Sequence, residues 1–231
     1  MTKPIRILST RAVQGALPAL LPAFEQASGV PVATAFSPTN ALTERIKGGE
    51  TADIVILTRE AIDELARLGI LEAGSTVDLV RSTVGLAVKA GALKPDIGTP
   101  EALVATLLAA KSLVYSRLGA SGVYFAGLIE RLGIAEAVNA KATIIQSGLT
   151  GEPVARGEAE MAIQQLSELS AVPGLDIVGP LPASLQTPTV FSAAAFAGSS
   201  TAGAARELLQ VLASADAAAA YRAAGLEPVA G

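Results

Sequence analysis

The chain has 231 residues, 17 Lys and Arg against 21 Asp and Glu, a formal net charge of −4, and neither His nor Cys. The missing residue types exclude disulfides, a thiolate nucleophile, His or Cys metal ligation, a histidine base and a Ser-His-Asp triad. The acidic balance and 3% aromatic content argue against a nucleic-acid surface, while 51% hydrophobic residues suffice for one large domain or two small ones.

The elements follow from apolar spacing. Ile5-Arg6-Ile7-Leu8 reads as a buried strand. Leu17, Leu20, Leu21 and Phe24 then fall on one helix face, and Gly29 closes that helix. Val30 to Phe36 is a β-branched run, and Ser37-Pro38-Thr39-Asn40 turns into a helix ending near Lys47. Asp53 to Leu57 is a strand, and Thr58 caps a helix carrying Ile62, Leu65 and Leu68 up to Gly69. Arg81 stands just before the strand Val84 to Val88. Thr99 caps a helix with Pro100 at its first position. Ser112 to Tyr115 is a strand, and Ser121 opens a helix that Gly133 stops. Thr143-Ile144-Ile145 and Met161-Ala162-Ile163 are strands separated by a short helix. Val172 to Thr189, with four prolines, reads as one extended crossing strand. The alanine-rich tail holds two helices, capped by Thr201 and Ser214 and ended by Gly225. Strand–helix alternation of this kind predicts an α/β fold with mostly parallel sheets. The rhythm occurs in 1–80 and again in 84–170, which suggests two similar lobes.

The opening residues lack the apolar stretch of about 7–15 residues that a secretory signal needs. The expected location is cytoplasmic as written, and periplasmic if a native signal has been removed. No apolar run reaches about 18 residues, so no membrane span is expected.

Four strands lead into donor-rich loops that open helices: Ser9-Thr10-Arg11, Ser37-Pro38-Thr39-Asn40, Gly119-Ala120-Ser121-Gly122 and Ser147-Gly148-Leu149-Thr150. Ligands in open α/β sheets bind beyond the carboxyl ends of strands, and helix N-termini favour anions. Each loop alone also reads as ordinary capping; the four together predict one metal-free anion site. Arg11 and Arg117 lie in two of these loops and suit a carboxylate, which a guanidinium holds in two-pronged fashion. Gln164 and Gln165 follow a strand and offer amides, whereas Glu168 reads first as a solvated helix carboxylate and only second as a proton shuttle. Tyr115 and Tyr124 read as packing residues. No acidic cluster has metal-ligand spacing, and Gly148 to Gly151 lacks the ending of a phosphate-binding loop.

Longer stretches carry a resemblance. Leu20 to Gly29, Thr39 to Glu50, Ala52 to Ile56, Ser121-Gly122, Arg131 to Ile134, Val154 to Ile163 and Ala223 to Pro228 together resemble the molybdate-binding, type II periplasmic solute-binding family of ABC transporters. The resemblance spans essentially the whole chain. It implies two α/β lobes with mixed, mostly parallel sheets joined by crossing strands: 1–82 plus 191–231, and 83–190, with a ligand cleft that closes by hinge motion. Molybdate-type members hold an oxyanion with hydroxyls and backbone amides, without metal or cofactor. The matching positions are Ser9 or Thr10, Thr39 or Asn40, Ser121 and Leu149-Thr150. Two departures favour a carboxylate: Gln164-Gln165 stands where such members often place a tyrosine, and Arg11 and Arg117 add charge. Gln164 to Glu168 and Val178 to Gln186 are similar to the aconitate isomerase-like branch of the family. The implied function is binding of a small anion, with an ABC transporter permease as a further partner. The alternative is isomerisation of a small polycarboxylate such as cis/trans-aconitate, by a carboxylate, lysine, tyrosine or hydroxyl base.

Overall fold

The structure is a computed structural model and describes residues 3–229. The chain divides into two compact units, residues 1–82 with 189–231, and residues 83–188.

The first unit opens with β1 (Ile5–Ser9), a single 3-10 turn (Arg11–Val13) and α1 (Leu17–Ser28). It continues with β2 (Val32–Phe36), α2 (Thr39–Lys47), β3 (Ile54–Thr58), α3 (Arg59–Arg67) and β4 (Val77–Ser82). The second unit contains β5 (Val84–Lys89), α4 (Pro100–Ala109), β6 (Leu113–Ser116), α5 (Ala120–Arg131), α6 (Ala135–Asn139), β7 (Ala142–Ile145), α7 (Gly151–Ala155), β8 (Met161–Gln165), α8 (Leu166–Ser170) and β9 (Leu175–Pro180). The chain then returns to the first unit as β10 (Thr189–Ala195), α9 (Ala202–Leu212), α10 (Ala218–Ala223) and β11 (Glu227–Pro228).

The first unit's sheet runs β11-β4-β10-β3-β1-β2. β1 pairs in parallel with β2 and β3, while β10 is antiparallel to β3 and β4. Alternation along the strands sorts side chains to two faces. Ile5, Ile7, Ile54, Ile56, Phe191, Ala193 and Ala195 pack with Leu17 and Phe24 of α1 and with Leu208 and Leu212 of α9. Leu8, Val55, Leu57 and Ala194 pack instead with Leu42 and Ile46 of α2 and with Ile62 and Leu65 of α3. Helices therefore cover both faces, which explains why the central strands are apolar in nearly every residue.

The second unit's sheet runs β7-β6-β8-β5-β9, with β6 parallel to β7 and β8, and β5 antiparallel to β8 and β9. Leu86, Leu113, Tyr115 and Ile163 face Leu103, Phe125, Leu128 and Val138 of the helices. Ala87, Val114 and Ala162 face Val154 and Leu169. Tyr115 meets Phe125 edge-on, with ring centroids 5.2 Å apart.

Several expectations are corrected. The proline-rich segment is not one crossing strand. Residues 175–180 form the edge strand β9, the chain then turns, and the next strand starts only at Thr189. Gly174, with φ +84, sets the turn into β9, and the Gln186 side chain bonds Val84 N–H (2.9 Å), Val84 O (3.0 Å) and Leu181 O (2.8 Å), taking the place of a strand neighbour. Arg81 lies inside β4, opposite Val190. α5 starts at Ala120, and Gly119 is its N-cap residue in place of Ser121. Neither Thr201 nor Ser214 caps by its side chain: Ser214 Oγ donates backward to Val211 O at 2.7 Å.

Candidate functional site

Each unit presents a loop edge, the edge at which its parallel strands end. In the first unit, β1 ends at Ser9 and β3 at Thr58. Register places Thr58 beside Phe191, and Thr189 beside Ser82, so the chain leaves and re-enters this unit at the same edge. Thr10 N–H donates to Ile56 O at 2.8 Å, which ties the loop to β3. Ser9 is fully buried, and its hydroxyl donates to Thr10 O at 2.9 Å. It shapes the loop.

Thr10 and Thr39 meet here. Both are buried, and Thr39 Oγ1 donates to Thr10 Oγ1 at 3.3 Å. Thr39 is the first residue of α2, whose leading amides have no intrahelical acceptor. Arg11 is half-buried beside Thr10. Its Nη1 donates to Gln14 at 3.3 Å, while its Nε is buried with no partner among the described residues. A buried, unpartnered N–H on a cation is costly unless an acceptor arrives. Asn40 does not join this group. It is exposed and lines a groove between α2 and α3 with Glu44, Lys47, Glu60 and Glu64.

In the second unit, β6 ends at Ser116, β7 at Ile145 and β8 at Gln165. Arg117 N–H bonds Ile145 O at 2.8 Å, and Gln165 sits opposite Val84, the second residue of this unit. The turn from β6 into α5 is very tight. A Cβ on Gly122 would lie 1.7 Å from Ser116 O, and one on Gly119 would lie 2.7 Å from Ser116 Oγ. Only glycine lets the helix start this close to the strand. Under that first turn Ser116 and Ser121 are both buried, and the Ser116 hydroxyl has no hydrogen-bond partner among the described residues. These hydroxyls lie beneath the leading amides of a helix, a neutral set of donors of the kind that suits an anion.

Thr150, Gln164 and Glu168 form a separate buried network. Gln164 Oε1 accepts from Thr150 N–H at 2.8 Å and from its hydroxyl at 2.9 Å. Gln164 Nε2 donates to Gly148 O at 3.2 Å and to Glu168 Oε1 at 3.1 Å. Thr150 therefore braces the loop before α7, and its two donors point inward to the protein. Gln165 is buried at the end of β8. Arg117 is exposed and makes no side-chain hydrogen bond or ion pair among the described residues. Burial pushes the Tyr115 hydroxyl above its ordinary pKa against the opposing charge of Arg117, and that hydroxyl donates to Asn139 at 2.7 Å.

Thus Thr10, Arg11 and Thr39 gather in one unit, and Ser121 and Gly122 in the other. Ser116 was not singled out from the sequence. Its signal is the spacing Ser116, Gly119, Gly122, with small residues wherever the helix start must close on the strand. Glu168 is the larger surprise: it is 9% exposed, not a solvated helix residue. No group of described residues has a metal-binding arrangement, and no described helix is long and apolar enough to cross a membrane.

The family model for bacterial extracellular solute-binding proteins matches residues 5–227. An aconitate isomerase from a Pseudomonas species is 41% identical over 231 aligned residues, covering 97% of this chain and 88% of that protein. Among solved structures, the periplasmic molybdate-binding protein of Azotobacter vinelandii is similar with a TM-score of 0.80 at 17% identity, covering 96% of this chain and 98% of that one. The sulfate-binding protein of Mycobacterium tuberculosis gives 0.78 at 18% identity, covering 99% and 88%. At these identities the structural likeness speaks for the fold, with its two α/β lobes, and not for the ligand.

Proposed function

This chain belongs to the bacterial extracellular solute-binding protein family, and we propose that it captures a small polycarboxylate and interconverts cis- and trans-aconitate. The observation that carries this reading is the 41% identity to an aconitate isomerase through 97% of the chain. The donor chemistry supports it. Arg11 holds a cation beside two threonines with one N–H buried and unpartnered, which suits a ligand carboxylate better than a neutral solute. Ser116 and Ser121 with the start of α5 offer a second set of donors of the kind that anions take. Each cluster is taken as an anion contact within its own unit.

The reaction is an allylic proton shift. A C–H bond breaks at the methylene carbon, and its electron pair forms the new double bond. The old double bond's pair takes up a proton at the former vinylic carbon. Atoms and electrons balance without an oxidant or reductant. The geometry of the new double bond is that of the conformer deprotonated. The protein must bind the carboxylates, hold that conformer and carry one proton.

A second reading is capture alone, with delivery of the anion to an ABC transporter permease outside the cytoplasmic membrane. The family membership and the hydroxyl-rich cluster under α5 favour it.

A ligand panel followed by chromatography separates the two. Aconitate at 100 times its dissociation constant should stabilise the protein by about 2.7 kcal/mol, more than molybdate or sulfate does, and the cis and trans forms should interconvert. If molybdate gives the largest stabilisation and aconitate is returned unchanged, the isomerase reading falls and the capture reading stands.

A further inference from the structure

Moving a proton between two carbons needs a base, and the chain contains neither His nor Cys. Lys141 is half-buried with its ammonium donating to Leu108 O at 2.6 Å, and the other described lysines are exposed. The three tyrosine hydroxyls are engaged: Tyr115 donates to Asn139, Tyr124 to Leu185 O and Tyr221 to Leu212 O. Two carboxylates are buried among the described residues, Asp53 and Glu168. Asp53 precedes β3 at the end away from its loop edge, where it accepts from Arg6 N–H at 2.8 Å and from Ser199. Glu168 is at the other kind of place. It lies in α8, which follows β8 directly at the loop edge of the second unit.

The surroundings of Glu168 are built rather than incidental. Gln164 Nε2 fixes one of its carboxyl oxygens at 3.1 Å. Gln164 is itself held by both donors of Thr150 and by Gly148 O, so the amide cannot turn away. Thr150 is 0% exposed and Gln164 2%. A carboxylate placed this way keeps a defined orientation, and its burial limits competition from bulk water for the proton.

We propose that Glu168 is the residue that moves the allylic proton, an assignment that rests on the isomerase reading above. The Glu168 carboxylate takes a proton from the substrate methylene. The electron pair passes through the adjacent double bond onto the far carboxylate as a dienolate. The Glu168 carboxylic acid then returns the proton to the former vinylic carbon, and the carboxylate is restored.

The test compares wild type with Glu168→Gln and Glu168→Asp. Glutamine keeps the shape and an oxygen that accepts from Gln164, and removes the base. Interconversion of aconitate by Glu168→Gln should fall about 100- to 10,000-fold, while aconitate still raises its melting temperature. Glu168→Asp, with a retracted carboxylate, should retain more activity than the glutamine variant. A Glu168→Gln protein that turns over at the wild-type rate overturns the assignment and leaves the isomerase reading intact. Equal loss of activity in both variants, with aconitate binding lost in both, makes Glu168 a binding or folding residue and also overturns it. A wild type that binds aconitate without interconverting it overturns the isomerase reading itself, and the assignment with it.

Discussion

Gly122→Ala and Gly127→Ala make the same chemical change on the same helix with opposite expected signs. In α5 an alanine is intrinsically better than a glycine by about 1 kcal/mol. At Gly127 the new Cβ meets only Arg131 Nη1, at 3.4 Å, and that flexible side chain can move. Gly127→Ala should therefore stabilise by about 1 kcal/mol and raise the melting temperature by about 2–4 °C. At Gly122 the Cβ would lie 1.7 Å from the backbone oxygen of Ser116. Relief needs roughly 1.5–2 Å more separation between strand end and helix start. Such overpacking costs about 3 kcal/mol, which exceeds the gain of about 1 kcal/mol. The net loss is about 2 kcal/mol, a fall of about 4–8 °C. Thermal melts of the two variants against wild type read both signs at once. Moving the helix start also opens the cluster around Ser116 and Ser121, so Gly122→Ala should bind aconitate more weakly even where it is folded. A Gly122→Ala protein as stable as Gly127→Ala refutes the close strand–helix approach on which the second donor cluster depends.

Arg11→Ala should weaken aconitate binding by about 1.5–3 kcal/mol, measured by titration calorimetry, and Arg11→Lys should recover only part, because lysine lacks the planar fork. Arg117→Ala should cost less than about 1 kcal/mol, since the side chain is exposed and screened; a larger loss would place Arg117 on the ligand. Thr150→Val removes the hydroxyl that Gln164 accepts in a fully buried setting and should destabilise by about 1–3 kcal/mol in chemical denaturation. Burial pushes Asp53 up, but hydrogen bonds from Ser199, Thr201 and Arg6 N–H outweigh it and hold its pKa below the ordinary 3.8. That stability is present above the unfolded pKa and is lost as pH falls through the folded one. Asp53→Asn should thus cost about 2 kcal/mol at neutral pH, and the gap to wild type should close only in strong acid; a gap that closes near neutrality contradicts the bonding.

The strands of the two sheet centres were legible because they are buried on both faces and read as apolar runs, as in Ile54-Val55-Ile56-Leu57. Caps at Thr58 and Thr99 were legible because their side chains accept from Ala61 and Ala102 as capping chemistry requires. The central strand β10 was not, because Ala193, Ala194 and Ala195 have little strand preference. Their value is small size: α3 and α9 pack against a strand that offers no bulk. β4 was missed because Asp78 and Arg81 break its apolar pattern; Asp78 is satisfied by Ser192 and Arg59, partners distant in sequence. At the candidate site, residue type singled out loops but did not reveal what each side chain does there. Ser9 and Thr150 use their hydroxyls within the protein, and Asn40 turns to a groove. The burial of Glu168 depends on Gln164, four residues earlier in β8, and on the loop at Thr150, which no local pattern announces.

Proton NMR of aconitate incubated with the wild-type protein in deuterated water tests the proposed chemistry most directly. The cis and trans signals should approach one equilibrium mixture from either side, and deuterium should enter the methylene and vinylic positions more slowly than the isomers interconvert, because the buried carboxyl returns the proton that it takes. Unchanged isomers with undiminished methylene signals, in the presence of a protein that aconitate stabilises, would contradict that chemistry.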